Sequence, residues 1–280
     1  MSKTIDTLSR RALGAVCAFV VVAGGSVPAF ATSSVPLPNS MAALGDSITE
    51  ASTTCKALVL CPAESWSTGT DPAVNSQYLR LLALNPNISG KNTNLAVPGA
   101  KVDALTAQAV AAVAAQVDYV TILVGANDAC TSTQAGMTPV STFHDDFAQA
   151  MTVLEIGLPN AHIFVASIPD VYRLWQLESP NRSARTVWAA FGVCQSMLAN
   201  PLSMKKAAVA RRQAVLQREI DYNSQLQQQC ALYANCVFDN NAVFNRRFST
   251  ADIGTIDYFH PSIPGQAAIA KGTWANGFGW

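Results

Sequence analysis

Apolar positions along this chain fall into two alternating rhythms. Continuous apolar runs at 41–44, 119–124 and 162–168, each closed by Gly, Pro or Asp, have the pattern of strands buried on both faces. Shorter runs at 93–97 and 237–239 bring the predicted strands to five. Between them the period changes to that of a helix. Residues 74–84 place Tyr78, Leu81 and Leu82 on one face and stop before Asn85-Pro86. Helices are also predicted over 102–115, 140–157 and 205–232, and a closing helix over 261–276 with Pro261 at its first position. Strands alternating with helices in this way predict parallel pairing, right-handed crossovers and helices on both faces of one sheet. The stretch 172–204 is aromatic and apolar, with Trp175, Trp188, Phe191, Met197 and Met204. It fits either a pocket wall or a helix packed on the core.

Composition narrows the picture. A chain of 280 residues that is 50% hydrophobic buries one large core, and no repeat or linker divides it. With 18 basic and 18 acidic residues it lacks the electrostatic footprint of a nucleic-acid partner. Lys3, Arg10 and Arg11 precede an uncharged run over 12–27 and the small-residue site Ala29-Phe30-Ala31, the order of a secretory signal peptide. That run is shorter than the ~20 residues a membrane span needs. We therefore expect residues 1–31 to be a cleaved signal and 32–280 a secreted single domain with no stable membrane anchor. Ser9-Arg10-Arg11 leaves both the general and the twin-arginine export routes open.

Of seven cysteines, Cys17 falls in the signal, leaving Cys55, Cys61, Cys130, Cys194, Cys230 and Cys236. An even count after export reads as three disulfides, with fifteen pairings possible in principle. Closeness in sequence favours Cys55–Cys61 and Cys230–Cys236, which leaves Cys130–Cys194. No Cys-x-x-Cys pair or neighbouring histidine supports a metal site.

Candidate chemistry gathers where strands end. Ser47, Gly99, Asn127 and Asp170 each follow a predicted strand, where reactive groups collect in parallel sheets. A nucleophilic serine needs a base, a group that orients the base, and donors for the oxyanion. Of three histidines, His162 opens a buried strand and His144 sits in a charged helix start, whereas His260 stands in the turn Asp257-Tyr258-Phe259-His260. Asp257, three residues ahead, can reach one imidazole nitrogen and leave the other facing outward. Gly99 can offer its amide, and Asn127 its side-chain amide, to the developing charge.

Gly45-Asp46-Ser47, Asn94 through Gly99, Gly125-Ala126-Asn127-Asp128 and Asp257 through His260 resemble, in this order, the four blocks of the SGNH hydrolases, also called GDSL esterases and lipases. The export signal and six cysteines resemble the secreted actinobacterial branch with three disulfides. The resemblance implies a three-layer α/β/α sandwich with a mainly parallel five-stranded sheet, like flavodoxin. It implies Ser47 as nucleophile, His260 as base and Asp257 as its orienter. Ser47, Gly99 and Asn127 would form the oxyanion hole, with Asp46 and Asp128 in support. Three positions depart from the family pattern: Ile48 replaces leucine, Pro98 precedes Gly99, and Glu50 stands where glycine is frequent. The implied activity is hydrolysis of carboxylic esters, of small molecules, lipids or acylated glycans, by a monomer that needs no cofactor. A carbohydrate O-acetylesterase or a cell-envelope acyltransferase would use the same residues. An α/β-hydrolase is disfavoured, because Thr49 stands where its nucleophile elbow requires glycine.

Overall fold

The computed structural model describes residues Val35–Trp280; the predicted signal peptide and Cys17 lie outside the described residues. Five parallel strands form one sheet: β1 (Met41–Gly45), β2 (Asn92–Asn94), β3 (Tyr119–Leu123), β4 (His162–Val165) and β5 (Cys236–Phe238), in the order β2-β1-β3-β4-β5. The helices are α1 (Gln77–Leu84), α2 (Leu105–Ala114), α3 (Ala126–Ala129), α4 (Val140–Gly157), α5 (Val171–Glu178), α6 (Arg182–Phe191), α7 (Gln195–Leu198), α8 (Lys206–Cys230) and α9 (Ile263–Ala275).

Every residue of β1 and β3 is buried, as their uninterrupted apolar sequences demand. On one face, α1 and α9 are joined by the Gln77 amide donating to Thr273 Oγ1 over 2.8 Å. Tyr119 and His162, neighbours in register on β3 and β4, meet Phe278 and Trp280 on that same side. On the other face α2, α4 and α8 pack side by side. The result is a three-layer α/β/α sandwich whose strand order reverses at β1, and such a reversal opens a crevice beyond the strands' carboxyl ends.

Four expectations change in detail. The second strand is Asn92–Asn94, not 93–97, although the Leu95 and Val97 amides still donate to the carbonyls of Ala43 and Gly45. The fourth strand stops at Val165 rather than 168. The stretch 172–204 holds three separate helices: Asp170 and Asn181 cap the first two with their side chains, and Gly192 closes the second in the left-handed region. The closing helix begins at Ile263, not Pro261. Ser262 is its cap, while Pro261 is held extended by an antiparallel bridge to Ile253.

The three disulfides are Cys55–Cys61, Cys130–Cys194 and Cys230–Cys236. The first and third are the pairs that sequence proximity favoured, and Cys130–Cys194 is the pair left by elimination.

Candidate active site

Ser47 lies two residues beyond the end of β1. Gly45 has a φ of +146°, and a Cβ there would stand 2.2 Å from the Leu123 carbonyl oxygen, so only glycine lets β1 leave the sheet so close to β3. Gln108 of α2 clamps this residue from both sides: its side-chain oxygen accepts the Gly45 amide at 2.7 Å, and its nitrogen donates to the Gly45 carbonyl at 3.0 Å. Gln266 of α9 donates to the Ile48 carbonyl at 2.8 Å. The serine turn is thus held from helices on both faces of the sheet.

His260 Nε2 is 2.7 Å from Ser47 Oγ, across 213 residues of sequence. On its far side, His260 Nδ1 is 2.6 Å from Asp257 Oδ2. Asp257 Oδ1 accepts the amides of Phe259 and His260 at 2.9 and 3.0 Å, and Thr53 Oγ1 donates to Oδ2 at 3.3 Å. Burial pushes the Asp257 carboxyl up, but the His260 hydrogen bond and charge together with the two amides outweigh it, so it stays below the ordinary carboxylate range. An ionised Asp257 accepts only, so Nδ1 carries the imidazole proton and Nε2 is left to accept from the serine hydroxyl.

The turn itself is strained. Tyr258 has a φ of +54°, and its carbonyl accepts the Trp188 indole N–H at 3.1 Å. Trp188 is fully buried in α6, so it packs the core and pins this turn; it does not line a pocket. Thr54 Oγ1 adds a bond to the Pro261 carbonyl at 3.0 Å.

Around the serine stand the donors. Asn127, in the single turn of α3 after β3, donates its side-chain amide to the Ala100 carbonyl at 3.0 Å and faces Asp46 Oδ2 at 3.4 Å. This ties it to the loop that carries Gly99. Gly99 has a φ of +79° and open space where a Cβ would be. Among the described residues, the amides of Ser47 and Gly99 donate to no protein acceptor. Beneath them Asp46 is fully buried; desolvation lifts its carboxyl to about 7, although the Ile48 amide and His260 pull it back. Asp128 is lifted by burial to about 6, against hydrogen bonds from Thr138 and the Val102 amide.

The two histidines set aside from the sequence, and the remaining candidates, sit elsewhere. His144 contacts Asp145 and Gln229 on the surface of α4, and burial against Phe278 and Trp280 pushes the His162 imidazole down. Asp170 caps α5 through the Arg173 amide at 2.9 Å. Glu50 is buried, and burial raises its carboxyl. No cluster of three or more His, Cys, Asp or Glu able to hold a metal occurs among the described residues.

Sequence reading missed Gln108, Gln266 and Thr53, and the bond by which Trp188 holds the Tyr258 carbonyl. Gln108 alone left a signal: it interrupts the buried stripe of Leu105, Ala109 and Ala112 with an amide.

The fold is thus a parallel α/β/α sandwich with a serine turn at its switch point, facing a histidine and a carboxylate. The sequence model of GDSL-like lipases and acylhydrolases matches residues 41–273, and the chain belongs to that family. It is a carboxylic ester hydrolase. No curated protein matches the sequence. Among solved structures it is similar to a GDSL-like lipase from Parabacteroides merdae, with a TM-score of 0.55 and 17% identity over 86% of this chain and 97% of that one. It is also similar to an α/β hydrolase enzyme from the metagenome of Lake Arreo, Spain (TM-score 0.55, 15% identity, 86% and 94% covered). A mutant of an acetyl-xylooligosaccharide esterase from Geobacillus gives a TM-score of 0.54 at 15% identity, with 88% and 97% covered. At such identities the likeness is one of fold.

Proposed function

We propose that the protein is a secreted serine esterase that works through an acyl-enzyme on Ser47. The observation that carries this reading is the unbroken chain from Ser47 Oγ to His260 Nε2 at 2.7 Å and from His260 Nδ1 to Asp257 at 2.6 Å. As Ser47 attacks the ester carbonyl, His260 takes its proton and Asp257 stabilises the imidazolium. The carbonyl oxygen gains charge between the amides of Ser47 and Gly99 and the side chain of Asn127. His260 then protonates the departing alcohol. Water enters on the vacated side, gives a proton to the same imidazole, and attacks the acyl-serine; His260 returns that proton to Ser47 Oγ as the acid departs.

Export and an oxidising destination are supported by the six cysteines, all paired, and by the signal-like order of residues 1–31. No helix among the described residues is long and apolar enough to cross a membrane. The mature domain in this reading is 32–280.

The test is hydrolysis of nitrophenyl esters by the wild type and by Ser47→Ala. Turnover in the variant should fall by roughly 10⁴–10⁶. A variant that retains wild-type turnover sinks the assignment. A carbohydrate O-acetylesterase would share the same residues, as the acetyl-xylooligosaccharide esterase of similar fold suggests; acetylated xylan as substrate separates the two.

A further inference from the structure

Beneath α5 lies a cavity whose wall is built from the sequence neighbours of the site. Ile48 follows Ser47, Ala126 precedes Asn127, and Pro261 follows His260; all three line it. Its remaining apolar walls include Leu174 and Leu177 of α5, with Phe248 and Phe259 opposite. Three polar residues also border it, and each is already engaged within the protein. The Asp170 carboxylate caps α5, Asp252 accepts the amide and hydroxyl of Ser249, and Arg173 donates to the Phe248 carbonyl. What the cavity offers a ligand is therefore hydrocarbon surface.

We propose that this cavity is the acyl site of the esterase and accepts acyl groups of about four to six carbons, with Leu177 as its end wall; the inference rests on Ser47 being the nucleophile. The two-step reaction decides which half of the ester belongs there. The alcohol must leave after the first step and water must take its place, so the alcohol side has to be open. The acyl group stays bound through both steps, and a recessed apolar pocket suits the part that stays. Size sets the length. The cavity volume is about 50 Å³. One water needs ~10–15 Å³ on this measure, so the space holds roughly three to five waters, or a similar number of methylene groups. Leu177 also lines a second, wider cavity of about 630 Å³ beside Tyr258 and Thr255. It is thus the partition between a small apolar space and a large open one.

The test is a series of nitrophenyl esters from acetyl to dodecanoyl, measured with wild type, Leu177→Ala, Leu177→Trp and Ser47→Ala. In the wild type, kcat/KM should rise about fourfold per methylene up to butyryl, peak by hexanoyl, and fall toward dodecanoyl. Leu177→Ala opens the partition and should move the peak to longer chains; Leu177→Trp should move it toward acetyl. In a parallel series of acetyl esters, alcohols from methyl to butyl should change kcat/KM by less than about fourfold in total. An acetyl or dodecanoyl optimum, a peak unmoved by Leu177→Ala, or a chain-length peak in the alcohol series instead would each overturn the acyl site. Loss of activity in Ser47→Ala with no acyl-length preference would leave the serine reading standing and remove only this inference. The wild-type and Leu177→Ala measurements decide the matter even if the tryptophan variant does not fold.

Discussion

The Trp188 indole N–H donates to the Tyr258 carbonyl across 70 residues of sequence, at the residue of the Asp257–His260 turn whose φ is +54°. A left-handed backbone at a tyrosine persists only where its surroundings enforce it. Trp188→Phe keeps most of the bulk and removes the donor. We expect stability to fall by about 1 kcal/mol, since a part-buried carbonyl loses its partner. Turnover should fall about tenfold as His260 drifts from Ser47, with KM little changed. Steady-state kinetics beside urea melts measure both; a loss of stability with full turnover would mean that the turn holds itself.

Asp46 meets Asn127 from below, and its burial gives a pH signature. Its carboxyl rises from 3.8 to about 7 on folding, with desolvation the cause. The folded state therefore holds this proton more tightly than the unfolded chain. The resulting stabilisation is fully present below about pH 4 and is lost as the pH rises through 7. Asp46→Asn has no proton to lose, so between pH 4 and 8 it should gain up to about 4 kcal/mol relative to the wild type. Denaturant titrations at both pH values test this, and a pH-independent difference would refute it. The same change leaves one acceptor oxygen for both the Ile48 amide and Asn127 Nδ2, so activity should drop at every pH.

In the proposed oxyanion hole, Asn127→Ala removes one of three donors around the carbonyl oxygen. Turnover should fall by about 10²–10³ with binding nearly intact. Single-turnover acylation measures the effect directly, and a purely KM effect would argue that Asn127 only shapes the loop.

The Cys130–Cys194 disulfide joins residues 64 apart, while each of the other two spans 6. In the chain-entropy account, removing the long bridge should lower stability by about 4 kcal/mol, against about 2 for Cys230–Cys236. Cys130 is three residues beyond Asn127. On titrating a reductant, activity should therefore decline before far-UV ellipticity does. Parallel loss of the two would mean that the bridge serves only global stability.

What could be read in advance depended on how local its cause was. β1 and β3 were legible because burial on both faces writes an unbroken apolar run. β2 is Asn92-Thr93-Asn94 on the sheet edge, polar and half-exposed, so its boundaries were drawn around the apolar Leu95 and Val97 instead. Asp257 and His260 lie in one short turn, and their spacing alone suggested a pair. The clamps on the site were not legible. Gln108 reaches Gly45 across 63 residues and Gln266 reaches Ile48 across 218, and in sequence each is simply a glutamine in a helix. Pro261 misled for a related reason: its preference for a helix start is intrinsic, but the bridge to Ile253 that overrides it is tertiary.

Ser47 follows the first strand of the described fold and His260 stands just before its last helix. A nascent chain that has not yet extended past residue 260 carries the serine turn without its imidazole. In the proposed mechanism, hydrolysis begins only once both ends of the sandwich have come together, which would make ester turnover a direct gauge of completed folding. A partly unfolded chain whose α9 has peeled away would lose the Gln266 clamp on the serine turn well before its central strands separate.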